Sequence, residues 1–144
     1  MDTAQLFQHA GQAAMLGWVI LLLLPRHRYV FWLPRYAIPF GLCLLYAALW
    51  FGYGFTGDGG FDSLTSVRAL FERDEVLLAG WVHYLAFDLF IGSWIAQEAD
   101  ALRISRLLQA PLLVATFLFG PVGLGIFLAL RSGYRWRQSE VAPS

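Results

Sequence analysis

An all-α integral membrane protein, a transmembrane bundle of four helices, is the fold class this chain predicts. Three observations lead there. Hydrophobic residues make up 58 % of the 144 positions and charged residues only 14 %, whereas charged residues form about a quarter of an ordinary soluble domain. Mean hydropathy is +0.57. Four stretches are apolar over the length of roughly 20 helical residues that a hydrocarbon core demands.

These stretches lie near 5–24, 34–53, 76–97 and 107–130, in a single membrane domain over 1–144. The short connections around Pro25 to Leu33 and Glu98 to Arg106 require antiparallel neighbours, hence a compact bundle. The first stretch is preceded only by Met1 to Gln5, without a basic residue, and ends in LLLLPRHR with no small-residue cleavage site. It therefore reads as a retained helix and not a cleaved signal. Arg26, Arg28 and Arg35 follow it, so the positive-inside rule puts that loop inside and the N-terminus outside. The remaining arginines restore a tie between the two sides when all four segments cross, and the first helix then decides.

Between the second and third spans runs GYGFTGDGGFDSLTSVRALFERDEV. Its glycines permit a turn, Ser63 or Thr65 can cap a short helix, and Val67, Leu70 and Phe71 would share one side of it. This predicts an amphipathic segment lying at the interface.

Several function classes are excluded or disfavoured. A net charge of zero leaves no footprint for nucleic acid. Cys43 is the only cysteine, so there is neither an intrachain disulfide nor a CxxC motif. Three scattered histidines cannot build the histidine boxes of a membrane di-iron enzyme, and a haem held by His9 and His83 has little support. No metal and no cofactor is expected.

The polar residues inside the spans carry the functional signal. In GWVHYLAFDLF, Asp88 falls near the middle of the third span, where a carboxylate costs about 2.5–3.5 kcal/mol and by default marks a functional site. The plain alternative is a structural hydrogen bond to a neighbouring helix. His83 lies five residues earlier, about 140° around the axis, so the two are not a same-face pair but could flank one cavity. Gln5, Gln8, His9 and Gln12 form an i, i+3, i+4, i+7 stripe on the first span, expected to look into the bundle. Together they predict a polar-mouthed cavity with Asp88 deep inside, Glu75 at the mouth, and Trp81, Tyr84, Phe87, Phe90 and Trp94 as walls. The competing reading of those aromatics is interfacial anchoring. In the fourth span Gly120-Pro121 should kink the helix and free a carbonyl. Thr116, its one deep hydroxyl, either faces the ligand or bonds back to its own helix.

The strings DEVLLAGWVHYLAFDLFIGSWI and RLLQAPLLVATFLFGPVGL resemble the abscisic-acid-deficient-four-like family, small integral membrane proteins of plants, cyanobacteria and other bacteria. Matching positions include Gly80, Trp81, His83, Tyr84, Asp88, Pro111, Gly120, Pro121 and Gly123, and the resemblance covers essentially the whole chain. One departure is Leu112, where the family often has cysteine. The short acidic start, unlike a plastid transit peptide, leads us to expect a bacterial member in an inner membrane. Plant members are required to make neoxanthin from violaxanthin, so the resemblance implies a carotenoid isomerase. Its ligand would be a carotenoid-like lipophile, and its partners the lipid bilayer and either a second copy or a carotenoid-pathway enzyme. Opening an epoxide to an allenic alcohol is redox-neutral and needs one acid and one base. His83 and Asp88, in either order, are the candidates, with Glu75 the third catalytic candidate. Gln8, His9, Gln12, Trp81, Tyr84, Phe87, Trp94 and Thr116 are the candidate binding residues. The competing class is a non-catalytic carotenoid- or lipid-binding or assembly protein, which needs the cavity and no acid/base pair.

Overall fold

The computed structural model describes residues 2–141, except for the side chains at 135 and 137–141. Helix α1 is Thr3–Leu23. Helix α2 is Arg28–Gly54, with π-helical turns at Leu33–Ala37 and Trp50–Gly54. Helix α3 is Leu64–Leu70, α4 is Asp74–Ala101 and α5 is Arg106–Val141. Four of these are long and apolar enough to span a membrane, as the composition requires, and α3 is the short segment between α2 and α4.

Local chemistry explains the boundaries. Asp2 caps α1 reciprocally: its carboxylate accepts from Gln5 N–H at 2.7 Å while the Gln5 side chain accepts from Asp2 N–H at 3.3 Å. Helix α2 starts six residues before the expected position 34, because Pro34 does not open the helix. It sits inside the π-turn, where the wider coil absorbs a residue that cannot donate to the ladder. Ser63 caps α3, its Oγ accepting from Ser66 N–H at 3.1 Å. Leu70 is buried, Val67 and Phe71 are half-buried and Leu64 is exposed, the amphipathic pattern expected. Gly80 leaves room for the Phe71 ring, which would stand 2.6 Å from a Cβ there.

The glutamine stripe is a correction. Gln5, Gln8, His9 and Gln12 are all exposed, and α1 buries Ala10, Ala14, Gly17, Trp18 and Leu21 instead. Ala10 is two positions from both Gln8 and Gln12, about 200° away around the helix, so only one of the two stripes can face inward. Small residues win because they let the helices approach closely. A Cβ on Gly17 would collide with Leu89, and one on Gly92 with Trp18.

The kink expected at Gly120-Pro121 is present, and it is a reversal. Phe119 and Gly120 leave helical geometry, and beyond them the chain runs back along α4. Gln109, on the first arm, donates to Asp100 at 2.8 Å. Phe117 packs on Trp18 at 5.4 Å. After the turn Phe127 meets Trp94 at 5.5 Å, and Arg131 pairs with Glu98 at 2.7 Å. The arms also face each other across a cavity lined by Leu108, Leu112, Ile126 and Leu130, and Gly123 is so close to Thr116 that a Cβ would overlap it. Helix α5 is thus a helical hairpin whose two ends lie at the C-terminal end of α4 and whose tip reaches the middle of the bundle.

A partly buried polar cluster fastens the base of this hairpin, with Arg26 and Gln109 inside and Asp100 at its exposed edge. Arg26 donates through Nη1 to Ala96 O at 2.8 Å, Asp100 Oδ2 at 2.7 Å and Gln109 Oε1 at 2.6 Å. Gln109, fully buried, also donates to Ile104 O at 2.8 Å. The α1–α2 connection, the end of α4 and the start of α5 therefore meet in one hydrogen-bonded network.

Candidate active site at the hairpin tip

The site is built where α1, α4 and the hairpin tip converge. A cavity of about 300 Å³ is lined by Gly11, Ala14, Met15 and Trp18 of α1, by Trp81, Tyr84, Leu85 and Asp88 of α4, and by Phe117 and Leu118 of α5. Asp88 is 14 residues from Asp74 and 13 from Ala101, about 20 Å from either end of α4, so the carboxylate sits near mid-span. Its Oδ2 is buried and has no hydrogen-bond partner.

The hairpin tip explains how a carboxylate is tolerated there. Gly120 touches it: a Cβ at that position would stand 2.7 Å from Oδ1, so only glycine lets the backbone come this close. Pro121 follows and opens the returning arm, as proline does at the first helical position. Irregular backbone at this depth is permitted only where protein or a cavity covers it, and Gly120 is buried against Asp88, whereas the Phe119 side chain is exposed. The break leaves the last carbonyls of the first arm without intrahelical donors, and the Tyr84 hydroxyl donates to one of them, Phe117 O, at 3.4 Å. Tyr84 precedes Asp88 by four residues, on the same face of α4, so phenol and carboxyl share the cavity wall.

The remaining sequence candidates divide between this cavity and other surfaces. Trp81 and Tyr84 line it with Asp88. His83 does not: it is exposed on another face of α4, stacked on Phe87 at 4.5 Å and tilted against Tyr46 of α2 at 5.5 Å. The 140° separation that could have let His83 and Asp88 flank one cavity turns them toward different neighbours. Phe87 follows His83 outward. Trp94 packs lower on α4, between Phe127 and the Arg131 guanidinium at 5.5 Å. Thr116 is buried and donates to Leu112 O at 2.8 Å, bonding back to its own helix. Glu75 is half-buried in the first turn of α4, 13 residues from Asp88. Gln8, His9 and Gln12 face outward. Two residues gain a role that sequence reasoning did not assign: Tyr84, which belongs with Asp88 by simple i, i+4 spacing, and Gln109, whose polarity at the start of an apolar run was the available signal. Among the described residues no group of three or more His, Cys, Asp or Glu is placed to hold a metal.

In comparison with known proteins, a family described as ABA DEFICIENT 4-like matches residues 5–127, a span that contains the cavity, the hairpin tip and both of its approaches. No curated protein and no solved structure matches the chain.

Proposed function

The chain belongs to the ABA DEFICIENT 4-like family, and from that premise we propose that it is a membrane-embedded isomerase of a xanthophyll or similar lipophilic polyene. Family membership is consistent with a carotenoid-related membrane protein, and the observation that supports catalysis is Asp88. It is a mid-span carboxylate whose Oδ2 has no hydrogen-bond partner, in a cavity that is apolar apart from the neighbouring Tyr84 phenol, and against a backbone turn.

The reaction asks for one proton to arrive and one to leave. The epoxide C–O bond breaks as its oxygen takes a proton; the electrons come from a C–H bond on the adjoining polyene carbon, whose proton passes to a base. Mass is unchanged and nothing is oxidised or reduced. Asp88 and Tyr84 are the titratable pair inside the cavity, so Asp88 exchanges one of these protons and Tyr84 is placed to exchange the other, with His83 outside the site. Trp18, Trp81 and Phe117 supply flat apolar walls for a conjugated ligand. A cavity of about 300 Å³ accepts one oxygenated end group and not a whole carotenoid, so the polyene extends from it into the bilayer.

The test is to express the protein in a carotenoid-producing host, with and without an epoxidase, and to compare extracted pigments by chromatography. A new isomer of unchanged mass is expected with the epoxidase. Asp88→Asn should reduce its rate by about 10²–10⁴-fold, the usual contribution of general acid–base catalysis, while His83→Ala leaves it within a few-fold. Unchanged pigments with carotenoid co-purifying would replace catalysis by a binding or assembly role. A loss with His83→Ala equal to that with Asp88→Asn would return the histidine to the site.

A further inference from the structure

A second cavity lies on a different face of α4, away from Asp88, and the proposed reaction makes no use of it. This groove of about 310 Å³ runs between α2 and α4, lined by Phe40, Cys43, Phe87, Phe90 and Tyr36, with Arg35 as its one charged group. Phe40, Phe87 and Phe90 are exposed, so the groove opens on the outer surface of the bundle.

Among the described residues Arg35 has no counter-ion. Its Nε donates to the Tyr36 hydroxyl at 3.2 Å, and its guanidinium carbon lies 5.4 Å from the Tyr36 ring centroid and 5.3 Å from that of Phe90. Nη1 is buried with no hydrogen-bond partner. The depth is unusual for such a group. Ser93 donates to Pro34 O at 3.2 Å, which puts this turn of α2 level with Ser93, and Phe90 is only two residues from mid-span Asp88. Arginines near a membrane normally extend their heads to the interface. This one sits on a π-helical turn seven residues into α2, about 10 Å from its start, and is held against two rings.

A guanidinium remains charged at any accessible pH and presents a planar fork that matches a carboxylate in two parallel hydrogen bonds. We propose that the groove binds a long-chain carboxylic acid dissolved in the bilayer. Its carboxylate pairs with Arg35 and its chain lies along Phe40, Phe87 and Phe90. A phospholipid fits less well, because a groove of about 310 Å³ with one charged group matches a single chain and its carboxylate, and not two chains with a glycerol and a phosphodiester. A second copy of the chain offers no anion at this depth: among the described residues every carboxylate except Asp88 lies near a helix end or in a loop, and Asp88 faces the other cavity.

Cys43 lines the groove, is exposed and is the only cysteine, so it reports occupancy directly. The experiment follows alkylation of Cys43 by N-ethylmaleimide in the purified full chain, with sodium palmitate, hexadecanol or phosphatidylglycerol added. At roughly ten times its dissociation constant, palmitate should slow labelling about tenfold by occupancy alone, and hexadecanol at the same concentration should not. Arg35→Gln should abolish the protection, and Phe40→Ala, at an exposed position, should weaken it. Equal protection by palmitate and hexadecanol would reduce the site to a plain apolar groove. Protection by phosphatidylglycerol alone, protection that persists in Arg35→Gln, or no protection at all would each overturn the proposal. If Arg35→Gln does not fold, the comparison of acid with alcohol on the native chain still decides.

Discussion

Asp88 concentrates what single residues contribute. Its importance is legible from position alone, because hydrocarbon does not accept a carboxylate without a partner or a purpose. Its neighbours are less legible. Helical spacing separates His83 from Asp88, yet only the packing of α2 against α4 decides that His83 meets Tyr46 and not the cavity. Tyr84 is the reverse case, an aromatic with a ready explanation as an interfacial anchor whose hydroxyl proves to serve the broken backbone of α5. Gly120 provides the sharpest test at this scale. The methyl group of Gly120→Ala would enter the space held by Asp88 Oδ1, and such overpacking typically costs about 1–3 kcal/mol. We expect a lower thermal midpoint in detergent and loss of the product isomer. A Gly120→Ala protein with native stability and native turnover would show that the tip does not press on the carboxylate.

At the scale of elements, the helices read clearly and the hairpin does not. Composition and length identify four apolar segments, and a Gly-Pro pair inside the fourth marks a break. A break does not state its own angle. What sets the angle is the pairing of each arm: Gln109 with Asp100 and Arg26 on the way in, Trp94 with Phe127 and Glu98 with Arg131 on the way out. These are contacts between residues far apart in the chain, beyond the reach of periodicity. The same limit explains the glutamine stripe on α1, where two faces were available and close packing of Gly17 and Gly92 chose the smaller one. The cluster at the hairpin base should therefore matter to stability. Replacing Gln109 by leucine takes one of three acceptors from Arg26 and the side-chain donor from the buried Ile104 carbonyl; leaving a buried polar group unpaired costs about 1–3 kcal/mol. Gln109→Leu should lower the thermal midpoint clearly, whereas Gln97→Leu, at an exposed position of α4, should not. Equal midpoints for the two variants would mean that the network does not hold the hairpin in place.

For the whole molecule, the hairpin changes the charge balance that the linear sequence leaves undecided. If all four segments cross, basic residues divide evenly between the two sides and the orientation rests on the first loop alone. With α5 folded back, Arg131 moves to the end of the bundle that already holds Arg26, Arg28, Arg103 and Arg106, leaving Arg68 and Arg73 at the other. The side chains of Arg135 and Arg137 are outside the described residues, though their positions on the returning arm follow Arg131. On the positive-inside rule we expect the hairpin base on the cytoplasmic side and the loop carrying α3 on the other, with α5 re-entering rather than crossing. Single cysteines test this directly. In a Cys43→Ser background, Asp58→Cys in the exposed outer loop should react with a membrane-impermeant maleimide in intact cells. Ser132→Cys, exposed on the returning arm, should react only after the membrane is permeabilised. If both positions label in intact cells, α5 crosses the bilayer, the tip of the hairpin no longer meets Asp88, and the cavity on which the proposed chemistry depends does not exist in the membrane.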